Sequence, residues 1–193
     1  MKVLIATNNQ GKVKEFKEIL EPLGYEPISL KEMGIEANII EDGETFEENA
    51  HIKAREIRKL VDMPVIADDS GLEVEFLDGA PGIYSARYAG ENATDKERCA
   101  KVLEELEGIE QPLRNARFVC AIYFIKDSET EYCATGTLDG FIGEEPMGEN
   151  GFGYDPIFMV DEDTSVAMLS SQQKNEISHR ANALRDLARQ LAE

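Results

Sequence analysis

The chain has 193 residues, with 39 Asp and Glu against 20 Lys and Arg, so its formal net charge is −19. This length suits one well-buried domain, predicted over residues 1–193, and the negative charge opposes nucleic-acid and anionic membrane partners. Three dispersed cysteines argue against a disulfide framework or a structural zinc site, and the short apolar N-terminus and the absence of a membrane-helix segment predict a cytoplasmic protein.

Strand and helix patterns alternate along the first half of the chain. Residues 3–6, Val-Leu-Ile-Ala, read as a buried strand, and apolar residues then recur at helical spacing as far as Leu23. Thr45 and Glu48 form the pattern of a capping box, which predicts that a helix begins there. Residues 72–76 alternate apolar and acidic side chains, which is typical of a half-exposed strand.

The second half of the chain continues the alternation. A second capping box, Thr94 with Glu97, predicts another helix. Residues 118–125 are apolar on both faces, which predicts a central strand, and residues 132–137 are predicted to form its neighbour. Ser178 is placed to cap a terminal helix. This order of elements predicts an α/β fold.

Two adjacent carboxylates are the most informative local feature. The segment 64–71, Pro-Val-Ile-Ala-Asp-Asp-Ser-Gly, brings both carboxylates, a hydroxyl and a glycine to the end of an apolar run. Neighbouring carboxylates raise each other's pKa, so they are tolerated in water, beside a cation or at a metal. A solvated turn explains the same residues, because Asp, Ser and Gly favour turns. The small residues and the arginine between Gly79 and Gly90 favour contact with an anion, so Asp68, Asp69 and Ser70 are candidate site residues.

A second candidate segment lies between the first predicted strand and the first predicted helix. There, backbone N–H groups, amide side chains and an ammonium group can converge on a phosphate at the helix N-terminus. The segment lacks the spacing of a Walker A motif, and an ordinary capped turn also explains it, since Asn and Gly serve turns as readily as ligands. The candidate phosphate-binding residues are Thr7, Asn8, Asn9, Gln10, Gly11 and Lys12.

A third group of polar residues surrounds the second predicted helix. Glu41 precedes this helix, and Asn49 and Lys53 are spaced i and i+4 on it, so they share one face. A surface ion cluster is one interpretation. If Glu41 instead approaches Asp68 and Asp69, hard oxygen ligands from two places form a Mg²⁺ site that keeps several waters. The metal would then relieve the repulsion between the carboxylates.

The last candidate segment is the loop of residues 151–156, Gly-Phe-Gly-Tyr-Asp-Pro, whose glycines permit unusual backbone angles. A packed aromatic turn explains this pattern. The functional interpretation is a platform for a base, with a ring stacking on the heterocycle and a carboxylate or backbone groups reading its polar edge. Basic residues near the predicted terminal helix add hydrogen-bond donors and a positive helix end. The candidate base-binding residues are Phe152, Gly153, Tyr154, Asp155, Lys174, His179 and Arg180.

Taken together, these segments resemble the inosine triphosphate pyrophosphatase family, which hydrolyses non-standard purine nucleoside triphosphates. Each segment is modest in specificity, but their joint occurrence in this order is specific, and the resemblance covers nearly the whole chain. The segments that carry it are Thr7-x-Asn9-x-x-Lys12, Glu41 with Thr45-Phe46-x-x-Asn49-Ala50, Ala67-Asp68-Asp69-Ser70-Gly71-Leu72, Gly79-Ala-Pro-Gly-Ile-Tyr-Ser-Ala-Arg87, Gly151-Phe-Gly-Tyr-Asp155-Pro and Ser178-His179-Arg180. The chain departs from many bacterial relatives at Asn8, where they carry Gly, and from some at Tyr154, where they carry Trp.

The resemblance implies an elongated mixed β-sheet with flanking helices, two lobes around a central cleft, and a homodimer. It implies that the triphosphate lies against residues 7–12, Lys53 and Ser70, and that the base lies near residues 152–155. Lys174, His179 and Arg180 would then select a 6-oxo purine. The implied cofactor is Mg²⁺, and its implied ligands are Glu41 and Asp69, with Asp68 able to join them.

The activity implied by the resemblance is hydrolysis of ITP, dITP and XTP to the nucleoside monophosphate and pyrophosphate, which removes these nucleotides from the pool. In-line attack by a water molecule on the α-phosphorus, with Asp69 as the base, is compatible with phosphoryl-transfer chemistry. Lys12, Lys53 and the metal would stabilise the developing charge. Donors placed for a 6-oxo group would leave a polar pair unsatisfied with adenine, which disfavours ATP.

Three alternatives stay open at this point. A related pyrophosphatase of the septum-inhibitor type would act on modified pyrimidine nucleotides and would differ only in base preference. A nucleotide-sensing module would bind without turnover and would tolerate loss of the carboxylate pair. An acidic protein-interaction domain would explain the net charge but none of the motifs.

Overall fold

A computed structural model describes residues 1–192. Within these residues there are six strands and five α-helices. The strands are β1 (Lys2–Ile5), β2 (Glu26–Ser29), β3 (Val65–Val74), β4 (Asn115–Ile125), β5 (Glu131–Ile142) and β6 (Phe158–Met159). The helices are α1 (Gln10–Leu20), α2 (Phe46–Arg58), α3 (Asp95–Glu105), α4 (Ser171–Ile177) and α5 (His179–Gln190).

The strands form one mixed sheet in the order β2-β1-β3-β4-β5-β6. Strand β1 pairs in parallel with β2 and with β3, whereas β5 pairs antiparallel with β6. Parallel neighbours need a crossover connection, and α1 supplies it between β1 and β2. The predicted mixed sheet with flanking helices is confirmed, and β4 is an interior strand beside β5 as predicted.

The helices predicted from the two capping-box patterns are both present, with one difference in detail. Thr94 accepts a hydrogen bond from the Glu97 N–H while the Glu97 carboxylate accepts one from the Thr94 N–H, which completes the predicted capping box of α3. Thr45 accepts from the Glu48 N–H, but the Glu48 carboxylate accepts from the Glu44 N–H instead of closing the reciprocal pair. Helix α2 is therefore capped by Thr45 alone.

Strand β3 differs most from its predicted form. The two carboxylates lie inside the strand and not in a turn, because β3 continues without a break from Val65 to Val74. The strand ends there, so Phe76 lies in a 3₁₀ turn and is exposed, against the prediction that residues 72–76 are all strand. Since successive strand side chains point to opposite faces, Asp68 and Asp69 are presented to different helices.

The chain forms two compact units. The first comprises Met1–Asp69, Cys120–Gly136 and the residues from Arg180 onward, and the second comprises Ser70–Val119 and Thr137–His179. Strands β3, β4 and β5 each contribute residues to both units. The prediction of one domain over residues 1–193 stays a prediction.

The first unit packs helices on both faces of its strands. One core cluster joins Phe16 of α1 and Leu184 of α5 to Ile66 of β3. Another joins Ile57 of α2 to Val65 on the opposite face of the same strand. This arrangement places α1 and α5 on the Asp68 side of β3 and α2 on the Asp69 side.

The second unit has its own core, in which Val102 and Leu106 of α3 pack with Leu72 of β3 and Phe118 of β4. Tyr154 and Phe158 belong to the same cluster, so the loop before β6 is anchored by its own aromatic residues. Among residues 1–192, none of the helices is long and apolar enough to cross a bilayer.

Candidate active site

The Asp68 carboxylate is the centre of a buried ion cluster in the first unit. Its Oδ2 accepts hydrogen bonds from Arg180 Nη2 at 2.9 Å and Nε at 3.3 Å, and Lys12 Nζ lies 3.0 Å away. Burial alone would raise the pKa of Asp68, but Lys12 and Arg180 hold it well below its usual range. Asp68 is therefore an ionised side chain held by Lys12 and Arg180.

Arg180 occupies a different environment from the one predicted for a base-selecting residue. Its side chain is 1% exposed and also pairs with the buried carboxylate of Glu15 on α1. Burial would lower the pKa of Arg180, but the carboxylates of Asp68 and Glu15 raise it. Arg180 therefore positions Asp68. A contact between Arg180 and a purine base stays a prediction.

Glu15 was not identified from the sequence as a functional residue. A signal for it exists, because Glu15 follows Lys12 by three residues and so lies one helical turn along the same face of α1. Its neighbours Val13 and Phe16 are buried, so the acid falls on the packed side of an otherwise amphipathic helix. A buried acid needs a cationic partner, and the chain supplies Arg180.

Asp69 has quite different surroundings from Asp68. Its Oδ2 accepts a hydrogen bond from Asn49 Nδ2 at 3.2 Å, and its Oδ1 lies 3.4 Å from Lys53 Nζ. Burial raises the pKa of Asp69, and the negative charge of Glu41 adds to this rise while Lys53 opposes it. The pKa of Asp68 is thus lowered and the pKa of Asp69 is raised. This difference is the pattern expected where one carboxylate serves as an anchor and the other exchanges protons.

Lys53 connects Asp69 to the segment before α2. Its Nζ lies 2.7 Å from Glu41 Oε2 as well as 3.4 Å from Asp69 Oδ1, so both carboxylates meet at one ammonium group. Burial alone would lower the pKa of Lys53, but these carboxylates and Asp68 raise it. The structure therefore brings the carboxylates of Glu41 and Asp69 to one ammonium group, and a Mg²⁺ site at these residues stays a prediction.

The donor chemistry of this cluster fits Mg²⁺. Within residues 1–192, no three Asp, Glu, His or Cys side chains are grouped closely enough to hold a metal by themselves. Mg²⁺ does not require such a cage, because it is commonly bound by one or two carboxylates together with waters and substrate phosphates. Glu41 and Asp69 provide that number. The buried Oδ1 of Asp68 accepts no hydrogen bond from any described residue, but Asp68 faces the other side of β3, and its joining the metal stays a prediction.

The predicted phosphate segment lies at the start of α1. The helix begins at Gln10, and Asn9 Oδ1 accepts a hydrogen bond from the Lys12 N–H at 3.2 Å. Thr7 Oγ1 accepts from the Asn9 N–H at 3.2 Å, which shapes the turn between β1 and the helix. Asn8, Asn9 and Gln10 are exposed, so the positive end of an 11-residue helix faces outward beside the Lys12 side chain.

In the second unit, Asp155 organises the predicted base loop from within. Its Oδ2 accepts hydrogen bonds from Lys174 Nζ at 2.6 Å and from the Phe152 N–H at 3.0 Å. Lys174 Nζ also lies 4.6 Å from the centre of the Phe152 ring, a cation–π contact. Asp155 and Lys174 are both buried, so the pair holds the loop and the Phe152 ring in place. A hydrogen bond between Asp155 and the polar edge of a base stays a prediction.

The other candidate residues of this unit divide between packing and exposure. Tyr154 is buried in the core and its hydroxyl donates to the Ser85 carbonyl at 2.7 Å, so of the two loop rings only Phe152 is partly exposed. His179 is buried and stacks on Phe118 with ring centres 4.9 Å apart. Ser70 is partly buried in β3. Their predicted contacts with substrate stay predictions.

We expect the Gly151→Ala variant to be destabilised much more than Gly153→Ala. Both glycines have positive φ, which costs an L-residue about 1–2 kcal/mol. A Cβ at Gly151 would also collide with Asp155 Oδ2, whereas one at Gly153 meets no described atom within 4 Å. Displacing the Asp155 carboxylate breaks its bonds to Lys174 and Phe152, so Gly151→Ala should cost a further 1–3 kcal/mol or so.

Chemical denaturation of both variants measures this difference in unfolding free energy directly. Gly153→Ala is the matched control, because it adds the same methyl group and the same class of backbone strain to the same loop. Equal losses in the two variants would show that Asp155 does not depend on the absence of a side chain at residue 151.

A sequence model of the Ham1 family matches residues 3–190. The chain belongs to the Ham1 family. Among curated relatives in this family, the Bacillus subtilis protein named dITP/XTP pyrophosphatase is 55% identical over 189 residues, which cover 97% of this chain and 96% of the relative. A Clostridium perfringens protein of the same name is 48% identical and covers 96% of this chain and 95% of its own length.

Solved structures of related proteins have the same fold as this chain. The Staphylococcus aureus Ham1 protein superposes with a TM-score of 0.86 at 45% identity and covers 100% of this chain and 98% of its own. A structure of the Mycobacterium abscessus nucleoside-triphosphatase, also named dITP/XTP pyrophosphatase, has a TM-score of 0.74 at 39% identity, covering 97% and 98%. The resemblance drawn from the motifs is thus confirmed at the level of family and fold.

Proposed function

We propose that this chain is a nucleoside triphosphate pyrophosphatase that hydrolyses ITP, dITP and XTP to the nucleoside monophosphate and pyrophosphate, and so removes them from the nucleotide pool. The observation that carries the proposal is the buried Asp69 carboxylate, with raised pKa, held between Lys53 and Asn49. The relatives named dITP/XTP pyrophosphatase support the choice of substrate.

Asp69 is assigned as the general base. A base is most effective when its pKa approaches the operating pH, and burial moves the pKa of Asp69 in that direction. Asn49 and Lys53 hold its two oxygens from different directions, so the carboxylate is oriented before substrate arrives. It accepts the proton of the water that attacks the α-phosphorus, and the bond between the α- and β-phosphates is the one that breaks.

Glu41 and Asp69, with Asp68 able to join them, are the residues that would hold Mg²⁺. When bound, Mg²⁺ neutralises phosphate charge and polarises the scissile bond. Lys53 lies between Glu41 and Asp69, so its ammonium group would lie beside the metal that these carboxylates would hold. The positive charge of Lys53 then opposes the negative charge that develops on the leaving group.

The triphosphate is assigned to the start of α1. Exposed N–H groups at the N-terminus of this helix attract anions, and Thr7, Asn8, Asn9 and Gln10 surround them with hydrogen-bonding side chains. Lys12 contributes a positive charge that Asp68 holds at 3.0 Å. This fixed cation matters in a chain of net charge −19, because long-range electrostatics otherwise repel a triphosphate.

The base is assigned to the loop of the second unit. Phe152 is its partly exposed ring and supplies a stacking surface, while Lys174 is held beside that ring by Asp155. A site built from donors rejects the 6-amino group of adenine, because that pairing leaves polar groups unsatisfied. Lys174, His179 and Arg180 are the residues assigned to this selection.

The test is release of pyrophosphate from ITP, dITP, XTP, ATP and GTP, each with Mg²⁺ and with EDTA. We expect metal-dependent release confined largely to the non-standard purines. Release of single phosphate, or equal hydrolysis of ATP, would overturn the proposed function while leaving the family assignment intact. A preference for modified pyrimidine nucleotides would favour the septum-inhibitor type of enzyme, and binding without turnover would favour a nucleotide sensor.

A homodimer in the cytoplasm completes the proposal. The homodimer is implied by the resemblance of the motifs to the inosine triphosphate pyrophosphatase family, and the cytoplasm is the location predicted in the sequence analysis. Sedimentation equilibrium of the full chain should give twice the mass of one 21.5 kDa chain. A single-chain mass at micromolar concentration would contradict the homodimer without affecting the catalytic assignment.

A further inference from the structure

The base loop, residues 151–156, is held on a second side by helix α3. Gly153 donates its N–H to Asp95 Oδ2 at 2.7 Å, and its carbonyl accepts from Cys99 Sγ at 3.4 Å. The N–H and the carbonyl of Gly153 are therefore both bound by the first two turns of α3, although Asp95 and Gly153 are 58 residues apart in sequence. Burial raises the pKa of Cys99 to about 12, so its sulfur carries the proton it donates.

The side-chain capping bonds of α3 do not involve Asp95. Thr94 and Glu97 form the capping box without it, so the carboxylate of Asp95 is available for another purpose. Its Oδ1 pairs with Arg98, whose guanidinium also donates to the carbonyls of Ala93 at 2.7 Å and Ala86 at 2.9 Å. The Asp95 side chain is thus held by Arg98, and Arg98 is held in turn by two backbone carbonyls.

The bond from Gly153 to Asp95 also has the strength to position a loop. An ionised acceptor makes a shorter and stronger hydrogen bond than a neutral one. Gly153 has a φ of +63°, and because glycine is conformationally permissive, the loop needs contacts at this residue to hold one geometry. On its other side, the loop is held by Asp155 and Lys174, so Phe152 lies between two anchored points.

We propose that Asp95 is a positioning residue for nucleotide binding: through the Gly153 peptide it fixes the loop that presents the Phe152 ring to the base. This inference rests on the proposed function of the loop as the base platform. Asp95 touches no reacting atom, so its removal should weaken binding and base discrimination more than the chemical step. Without Asp95, Gly153 can reorient, and the ring loses its fixed distance from the Asp155–Lys174 pair.

Kinetics of three variants test this role. Asp95→Ala should raise KM for dITP about tenfold, the loss expected for one charge-assisted bond, with kcat within about twofold of the wild type. Asp95→Asn keeps an oxygen that can accept from the Gly153 N–H, so its KM should stay within about threefold. Glu104→Ala is the matched control, because it removes an exposed carboxylate from the same helix. The preference for dITP over dATP should fall only in Asp95→Ala.

Hydrogen exchange of the Gly153 amide provides a readout that does not depend on activity. Its exchange should be about tenfold faster in Asp95→Ala than in the wild type and nearly unchanged in Asp95→Asn and Glu104→Ala. If the wild type releases no pyrophosphate, the proposed function fails, and the exchange rates still decide whether Asp95 fixes the loop. If the wild type is active while Asp95→Ala keeps its KM and its slow exchange, the positioning role fails and the proposed function stands.

Discussion

Asp69→Asn is expected to lower the rate of pyrophosphate release by roughly 10²–10⁴, the contribution of a positioned general base. Asparagine has nearly the same shape and can still bond Asn49, but its amide accepts no proton at neutral pH. Its effect should therefore appear in kcat. The measurement is pyrophosphate release from dITP with saturating Mg²⁺, and near-normal activity would exclude Asp69 as the base.

The same variant should fold almost as stably as the wild type. Because the pKa of Asp69 is raised in the folded chain, this group contributes stability below its ordinary value of 3.8 and loses it as the pH rises through the folded value. At pH 7 the ionised Asp69 is therefore a cost that a neutral amide avoids. In EDTA, the unfolding free energy of Asp69→Asn should fall by less than about 1 kcal/mol, or rise.

Asp139→Asn is the matched control for this experiment. Asp139 is an exposed residue of β5, so the substitution makes the same chemical change where no function is assigned. Its activity and its stability should both match the wild type. A large loss of stability in Asp69→Asn but not in Asp139→Asn would mean that the lost activity reports misfolding and not the loss of a base.

Arg180→Met is expected to cost about 3–5 kcal/mol of unfolding free energy, because it leaves the buried carboxylates of Asp68 and Glu15 without their shared guanidinium. Methionine fills part of the volume but compensates neither charge. For a chain of this size the melting temperature should fall by about 10 °C. Denaturation in EDTA measures the loss, and Arg185→Met, an exposed arginine on the same helix, should lose far less.

The pH dependence of this loss has a definite sign. The pKa of Asp68 is lowered in the folded chain, so its ion pairs contribute stability above the ordinary Asp value of 3.8, and this contribution is lost as the pH falls through the folded value. Without Arg180, the pKa of Asp68 rises, and the variant protonates Asp68 at a higher pH. The difference between the wild type and Arg180→Met should therefore shrink under acidic conditions.

A stability loss below about 1 kcal/mol at pH 7 would contradict the role assigned to Arg180, since it would place the pair in the range of exposed ion pairs. The double variant Arg180→Met with Glu15→Gln provides a further check. Removing one of the two buried carboxylates that lose Arg180 should restore part of the stability, because the amide needs no cation. An additive loss in the double variant would show that Glu15 and Arg180 act independently.

Local sequence patterns determined several features without tertiary information. Thr94 with Glu97 predicted a capping box because both of its hydrogen bonds join residues three positions apart, and the bonds are present. The apolar run of residues 118–125 predicted an interior strand because only a strand covered on both faces tolerates such composition. The adjacent Asp68 and Asp69 indicated a candidate site, since like charges side by side are tolerated in water, beside a cation or at a metal.

Only the tertiary structure decided what each of these residues does. It separated Asp68 from Asp69 because alternate side chains of β3 face different helices, and it gave Asp68 a partner 112 residues later in the chain. It placed Asp155 against its own loop and gave Gly153 its bond to Asp95. Capping and strand patterns depend on neighbours within a few residues, which the sequence displays. Contacts such as Arg180 with Asp68 depend on the order in which strands pair and on which face each helix covers, and no local pattern records either.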